Sequence, residues 1–237
     1  LGQGWGAGPV APNLMSDWAA AEPNDERRDA SVADWHAYPK YKKGGWADFV
    51  QETDFYAKKW APITCENNKL DDGYSCTFEN VMYEGNWDTP GKENMQLNNI
   101  HDLVLIRFAD VLLMQSELKE DVEGINKVRE RAGLAPIASY SLRALQNERR
   151  WELACEGIRW NDIRRWHIAA AALEKQNGVA TYYCGNADTN IPHNGGYTAR
   201  YNATAGFQKM PETQVAMGTV KQNEGWTGSD SEYQGWK

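Results

Sequence analysis

The chain has no run of lysines and arginines, no apolar stretch of bilayer length, no CxxC pair, few histidines and few phenylalanines. Each shortage removes a class of function. The 25 basic residues are outnumbered by 33 acidic ones, for a net charge of -8, so a polyanion finds no electrostatic footprint and nucleic acid is excluded as a partner. The longest apolar stretch, "LVLIRFADVLLM" at 103–114, is interrupted by Arg107 and Asp110 and falls short of the roughly 20 residues a spanning helix needs. The histidines, at 36, 101, 167 and 193, form no HExxH or other metal-ligating spacing. There is no GxSxG, no phosphate-binding loop and no dinucleotide fingerprint; "GQGWGAG" has glycines without a preceding strand or following helix and reads as a loop carrying Trp5. The four cysteines, at 65, 76, 155 and 184, match no zinc spacing. Cys65 and Cys76 bracket a loop-like "ENNKLDDGYS" in which a disulfide is feasible in an oxidising compartment. Cys155 falls on a predicted helix and reads as a small buried apolar residue.

With 237 residues the chain can bury an ordinary core without metal or disulfide staples. Its start, "LGQGWGAGPV", has no initiating Met and no signal core, which favours a piece of a longer polypeptide. What is abundant is tryptophan and tyrosine, 11 of each against 5 phenylalanines. Such rings carry a polar handle and suit surfaces that are apolar on one side and wet on the other.

Residues 1–101 are rich in Gly, Pro, Asn, Asp and Trp and show little periodicity, so long ordered loops are expected, with a short helix at "APNLMSDWAAA" and a strand near "DFYAKKW". From residue 102 the texture changes. Leu105, Phe108, Ala109, Leu112, Leu113 and Ser116 recur at helical spacing and predict an amphipathic helix over 102–119. A second helix over 121–132 has Ile125, Val128 and Ala132 on one face and Gly133 to end it, so the two should form an antiparallel hairpin. Ser141 is the expected N-cap of a third helix running to about Glu156, and a fourth spans from Trp160 to about Asn177. After 178 the pattern dissolves into a Gly/Asn-rich region expected to be loops. Within it "NADTN" at 186–190 alternates oxygen ligands as a calcium loop does. Ile191, however, stands where such a loop needs glycine and no bidentate Glu follows. Calcium is the one cofactor this pattern raises, and otherwise none is expected.

Two features compete for function. The stretch "NERRWELACEGIRWNDIRRW" at 147–166 interleaves Glu148, Glu152 and Glu156 with five arginines and three tryptophans. As a glycosidase pair, Glu152 and Glu156 have the wrong geometry, since two such carboxylates flank a bond from opposite sides, roughly 5–10 Å apart. One helical stripe with Arg149 and Arg159 three residues from Glu152 and Glu156 predicts ion pairing within and between helices. The other feature is the aromatic set Trp5, Trp18, Trp35, Tyr38, Tyr41, Trp46, Trp60 and Trp87 in the loop-rich half. Flat rings beside Asn, Asp and Gln side chains suit saccharides, whose CH faces stack on indole, although any single one of them is as well explained as a core plug.

The helical half resembles a known family. "IRFADVLLMQSEL" (106–118), "INKVRERAGL" (125–134) and "LQNERRWELACEGIRWNDIRRW" (145–166) are similar in order and spacing to the C-terminal part of SusD/RagB proteins. The flanks agree: "EPNDERRDASV" (22–32) resembles the family's aspartate-proline-arginine-arginine turn, "YAKKW" (56–60) its lysine-bearing strand, and "MPETQVAMGTVKQNEGW" (210–226) its proline-containing closing segment. The chain departs from the pattern in its short "LKEDVEG" turn, in Cys155 where Phe is common, and in "GSDSEYQGWK" beyond the customary end. The resemblance implies a mainly α fold, a tetratricopeptide-derived α-α superhelix with extensive irregular loops. This chain would be its C-terminal portion: a loop-rich ligand-facing region (1–101), two helix pairs (102–177) and a loop-rich closing segment (178–237). It implies a non-enzymatic, lipid-anchored protein on the extracellular face of the outer membrane of Bacteroidetes. Such a protein captures oligosaccharides for a SusC-like TonB-dependent transporter. The N-terminal half and the lipid anchor would lie outside this chain, leaving a helical apolar face uncovered. Peptide capture of the RagB type is the alternative cargo, a glycoside hydrolase a remoter one, and a protein-binding helical scaffold another. Trp5, Trp46 and Trp87 are the expected ligand-binding residues.

Overall fold

The computed structural model describes residues 9–34, 51–59, 104–176, 182–183 and 196–226. Among them the chain is mainly helical, and its strands are only two or three residues long. The mainly α architecture with irregular connections is therefore as expected. The described residues up to Glu156, with Tyr182–Tyr183, form one compact unit, and those from Gly157 onward form another.

In the first unit, α1 (Pro12–Ala21) starts with Pro12 in its first turn, where a fixed φ is already helical and the missing N–H costs nothing. It fills the stretch where a short helix was expected. After a turn, α2 (Arg27–Ser31) runs into β1 (Val32–Asp34). β1 pairs antiparallel with β3 (Phe55–Ala57), with Val32 opposite Ala57 and Asp34 opposite Phe55, so the "DFYAKKW" strand forms. Val10 N–H donates to the Phe55 carbonyl at 2.8 Å, which ties the beginning of the described chain to the same strand. A second ladder joins β2 (Gln51–Glu52) to β4 (Tyr182–Tyr183), also antiparallel.

α3 (Phe108–Lys119) and α4 (Glu123–Arg131) make the expected hairpin. Its turn places Glu120 in the left-handed region at φ 53°. Two of α4's first-turn amides, which have no carbonyl partner inside the helix, are satisfied by side chains: Asp121 Oδ1 accepts from Glu123 N–H at 3.1 Å, and buried Ser116 Oγ accepts from Ile125 N–H at 3.0 Å. The helices approach so closely that a Cβ on Gly124 would sit 1.9 Å from the Leu112 carbonyl oxygen, which only glycine permits. Gly133, at φ 70°, ends α4 as the sequence implied, with Leu134 N–H returning to the Arg129 carbonyl at 2.9 Å in a Schellman closure.

α3 differs from expectation at its start. Residues 104–107 are not helical, and Leu105 and Phe108, assigned to the buried stripe, are exposed. The buried face is instead Asp110, Leu112, Leu113 and Ser116. Arg107, extended at φ -132°, directs its guanidinium away to the end of α5 and cannot also serve as an ordinary first-turn residue.

α5 (Leu142–Glu152) begins as expected, with Ser141 Oγ accepting from Ala144 N–H at 3.1 Å. It stops at Glu152, one turn before the expected end. The physical cause is competition for carbonyls. Glu152 O accepts from Lys59 Nζ at 2.7 Å and Arg107 Nη2 at 2.6 Å, and Ala154 O also receives Lys59. Cys155, at φ 65°, therefore lies in a turn rather than on the helix, half-buried against Trp18, Trp151 and Ala154.

In the second unit, the single helix expected from Trp160 to Asn177 is broken into α6 (Arg159–Arg165) and α7 (Ala169–Glu174) by His167 in the left-handed region at φ 56°. α8 (Gly196–Thr204) lies where the sequence promised only loop. Its Asn- and Thr-containing stretch has weak helix propensity, but Thr198 Oγ donates to Ala170 O at 3.0 Å and Arg200 stacks over the Trp226 ring at 3.6 Å. Tertiary contact overrides propensity there. α9 (Glu212–Ala216) follows Pro211. The closing segment is pinned by Gln222, which accepts from and donates to the Met210 backbone, and by Trp226 Nε1 donating to Phe207 O at 2.9 Å.

Candidate functional site

The carboxylates of 147–166 sit at the centre of a buried charge network. Glu148 accepts from Arg27 at 2.7 Å and Arg129 at 3.0 Å. Glu152 accepts from Arg27 at 2.7 Å, Arg107 at 2.6 Å and Arg131 at 2.7 Å. Glu156 receives Arg107 Nε at 2.7 Å and the Lys59 ammonium. Asp25, itself buried, grips Arg27 through both oxygens and accepts the Trp18 indole N–H at 2.8 Å. Arg149 reaches Asp110 of α3 at 2.6 Å.

The ion pairing expected of this stretch is present, but its partners are not those of a single helical stripe. The cations on Glu148, Glu152 and Glu156 come from the first residue of α2, the segment just after β3, the lead-in to α3, and α4. Sequence reading singled out all four of those segments as quoted blocks without pairing their cations to the glutamates. The available signal was motif context: Arg27, Lys59, Arg107, Arg129 and Arg131 each fall in a block set apart by motif.

The hydrogen-bond geometry of this cluster favours a structural role over an acid/base pair. Burial pushes the Glu152 carboxyl up, but hydrogen bonds from Arg27 and Arg107 and the Arg107 and Arg131 charges overcome it and hold the group below its ordinary value. Asp25 is likewise held low, with its burial outweighed by Arg27 and Trp18. Glu148 goes the other way, raised by burial against Arg27 and Arg129. A carboxylate saturated by guanidinium donors has neither a proton to give nor a free lone pair aimed at a substrate. The network is a clasp. It also fixes both flanks of residues 60–103, since Lys59 precedes that segment, Arg107 follows it closely, and the two meet on Glu156.

The aromatic expectations divide. Trp5, Trp46 and Trp87 lie outside the described residues, as do Trp35, Tyr38, Tyr41, Trp60, the 65/76 cysteine pair and the "NADTN" stretch. Trp18, counted in the same saccharide-binding set, is fully buried and stacks on Trp151 with centroids 5.4 Å apart and planes 17° from parallel. It is core, and its N–H belongs to Asp25. In the second unit Trp160 remains 37% exposed, edge-on to Tyr201 at 6.1 Å, with Arg164 over both its ring and that of Phe207. Among the described residues no His, Cys, Asp and Glu cluster could hold a metal ion, and no helix is long and apolar enough to cross a membrane.

The described residues define a class first: a mainly α scaffold held together by a buried Arg–Glu clasp. The family model for the SusD family matches residues 14–226, and the chain belongs to that family. Two relatives from Formosa agariphila are similar: SusD-like protein P38, 24% identical over 203 residues (72% of this chain, 36% of that protein), and SusD-like protein P25, 34% identical over 98 residues (35% and 18%). Among solved structures, a laminarin binding SusD-like protein is 25% identical with a TM-score of 0.56, over 92% of this chain and 38% of that one. A SusD homolog from Bacteroides thetaiotaomicron is 20% identical with a TM-score of 0.54, over 90% and 43%, and shares the fold. The chain thus spans well under half the length of each.

Proposed function

We propose that this chain is part of a surface glycan-binding protein that captures an oligosaccharide and passes it to a SusC-like TonB-dependent transporter in the outer membrane. The observation that carries the reading is the match, across nearly the whole chain, to a protein described as laminarin binding. The clasp supports it: Lys59 and Arg107, which flank the segment that carries Trp87, meet on Glu156, and a framework fixed in this way lowers the entropy lost when a sugar is bound. Trp5, Trp46 and Trp87 are the proposed platforms. Anchorage would be through a lipid on the extracellular face, supplied by polypeptide outside this chain, and no cofactor takes part.

Titration of the intact protein against laminarin oligosaccharides and a wider glycan panel, beside a peptide library, tests the reading. Micromolar glycan binding with quenched tryptophan fluorescence is the expected result. Binding of peptides and of no glycan would replace it with RagB-type peptide capture, and turnover of a glycan lost in Glu152→Gln and Glu156→Gln would replace it with a hydrolase. Co-purification of a large β-barrel protein from membranes tests the transporter partnership.

A further inference from the structure

The second unit carries an arginine without a counter-charge. In the first unit Arg27, Arg107, Arg129, Arg131 and Arg149 each hold a carboxylate. Arg164 of α6 holds none among the described residues, and its guanidinium donates no hydrogen bond there. It is half-buried, and what surrounds it is aromatic. Its Cζ lies 5.8 Å from the centre of the Trp160 ring and 5.4 Å from that of Phe207, while Tyr201 of α8 meets Trp160 edge-on at 6.1 Å. Phe207 is 56% exposed and Trp160 37%, so the group opens to water. Gly206, at φ 72°, makes the turn from α8 to Phe207 close against it: a Cβ there would stand 2.8 Å from the Tyr201 ring and 3.2 Å from Arg164 Nε.

We propose that Trp160, Arg164, Tyr201 and Phe207 form a second saccharide site, separate from Trp5, Trp46 and Trp87, that takes a hexuronate unit. The sugar's CH face lies on the exposed rings and its carboxylate is held by Arg164. A guanidinium that meets rings with its faces keeps its N–H fork, which lies in its own plane, for an acceptor, and a carboxylate matches that fork with two parallel hydrogen bonds. The acid nearest in sequence does not fill this place, because Asp162 is paired with Arg165 at 2.9 Å. An arginine left open in a chain of net charge -8 therefore favours an anion from outside. The rings narrow the choice of anion, since exposed aromatic faces beside a charged donor suit a pyranose that bears the carboxylate itself. An acidic peptide is the weaker fit. The group is built from α6, α8 and the turn after α8, and none of these is a strand whose edge could pair a peptide backbone. The identity of the occupant rests on the glycan-binding reading; the unpaired Arg164 and its rings do not.

The test is titration calorimetry of the intact protein at low salt with trigalacturonate and with the same trisaccharide after its carboxyl groups have been reduced to alcohols. The charged form should bind about ten-fold more tightly or better, and added salt should narrow the gap. Arg164→Gln should abolish the preference. Phe207→Ala, at the more exposed ring, is the second variant should the first fail to fold, and it should weaken trigalacturonate binding by about five-fold or more. Equal affinity for the two trisaccharides, no binding of trigalacturonate, or a preference that survives Arg164→Gln would overturn the proposal. A triglutamate peptide that binds more tightly than trigalacturonate and is lost in Arg164→Gln would assign the group to acidic peptides and overturn it as well. Neutral glycans of the panel that bind while carboxylates bring no gain would remove this site alone, whereas binding of no glycan, charged or neutral, would remove the glycan-binding reading with it.

Discussion

Two halves of one sequence stretch, 147–156 and 159–166, look alike on paper and behave oppositely in space. Both alternate Arg and Trp with acidic residues. In the first, Glu148, Arg149, Trp151 and Glu152 are all buried, and each charge meets a partner from a distant segment. In the second, Asp162 and Ile163 are buried while Trp160 and Arg165 face outward, with Arg165 paired locally to Asp162 at 2.9 Å and Arg164 lying over exposed rings. The difference teaches that composition does not decide whether a charged helix is scaffold or surface. What decides it is whether remote parts of the chain deliver counter-charges, because a charge is tolerated in the interior only when paired and hydrogen-bonded.

That contrast can be broken at its strongest point. Glu152→Ala removes the carboxylate that Arg27, Arg107 and Arg131 share, leaving Arg27 to Asp25 and Glu148 and Arg107 to Glu156, and should destabilise the protein by about 3 kcal/mol, read from the denaturant midpoint. Trp151→Ala removes the stacking partner of Trp18 and should cost a similar ~3–5 kcal/mol as a core cavity, whereas Trp160→Ala, at the partly exposed counterpart, should cost less than about 1 kcal/mol. Equal losses for the two tryptophans would erase the distinction between the halves.

Acid sharpens it further. Asp25 and Glu152 are held below their ordinary values, so they contribute stability above the unfolded-state carboxylate range and lose it as pH falls through their folded values. Glu148, raised by burial, contributes in the opposite sense, its share growing as pH falls and disappearing as pH rises through its folded value. Stability measured by denaturant from neutral pH downward should therefore fall more gently with acid in Glu152→Gln and more steeply in Glu148→Gln. The smallest effect is at the start of α5, where Ser141→Ala should cost about 1 kcal/mol through the lost cap.

Much of this architecture was legible because it is local. The Ser141 cap, Gly133 closure, α1 and the α3–α4 hairpin follow from residue type and spacing within a turn or two. What was not legible depended on distance in sequence. α5 ends early because Lys59 and Arg107 capture its carbonyls, and α3 starts late with its lead-in Arg107 engaged at that same place. α8 forms against α7 and Trp226 despite weak propensity. No window of neighbouring residues contains those contacts. The same limit applies to the aromatic set. Trp18 looked like a sugar platform because tryptophan in a loop-rich region can be either, and only the packing of Trp151 and the carboxylate of Asp25 reveal it as core.

Separation of clasp from ligand site is checked by oligosaccharide affinity measured side by side in two variants of the intact protein. For the best-binding oligosaccharide of the panel, the folded fraction of Glu152→Ala should keep its Kd within about two-fold, while Trp87→Ala, folded as the parent, should weaken binding by about ten-fold or more, as loss of one stacked ring does. A Glu152 variant that remains stable but no longer binds, beside a Trp87 variant that binds as before, would contradict it.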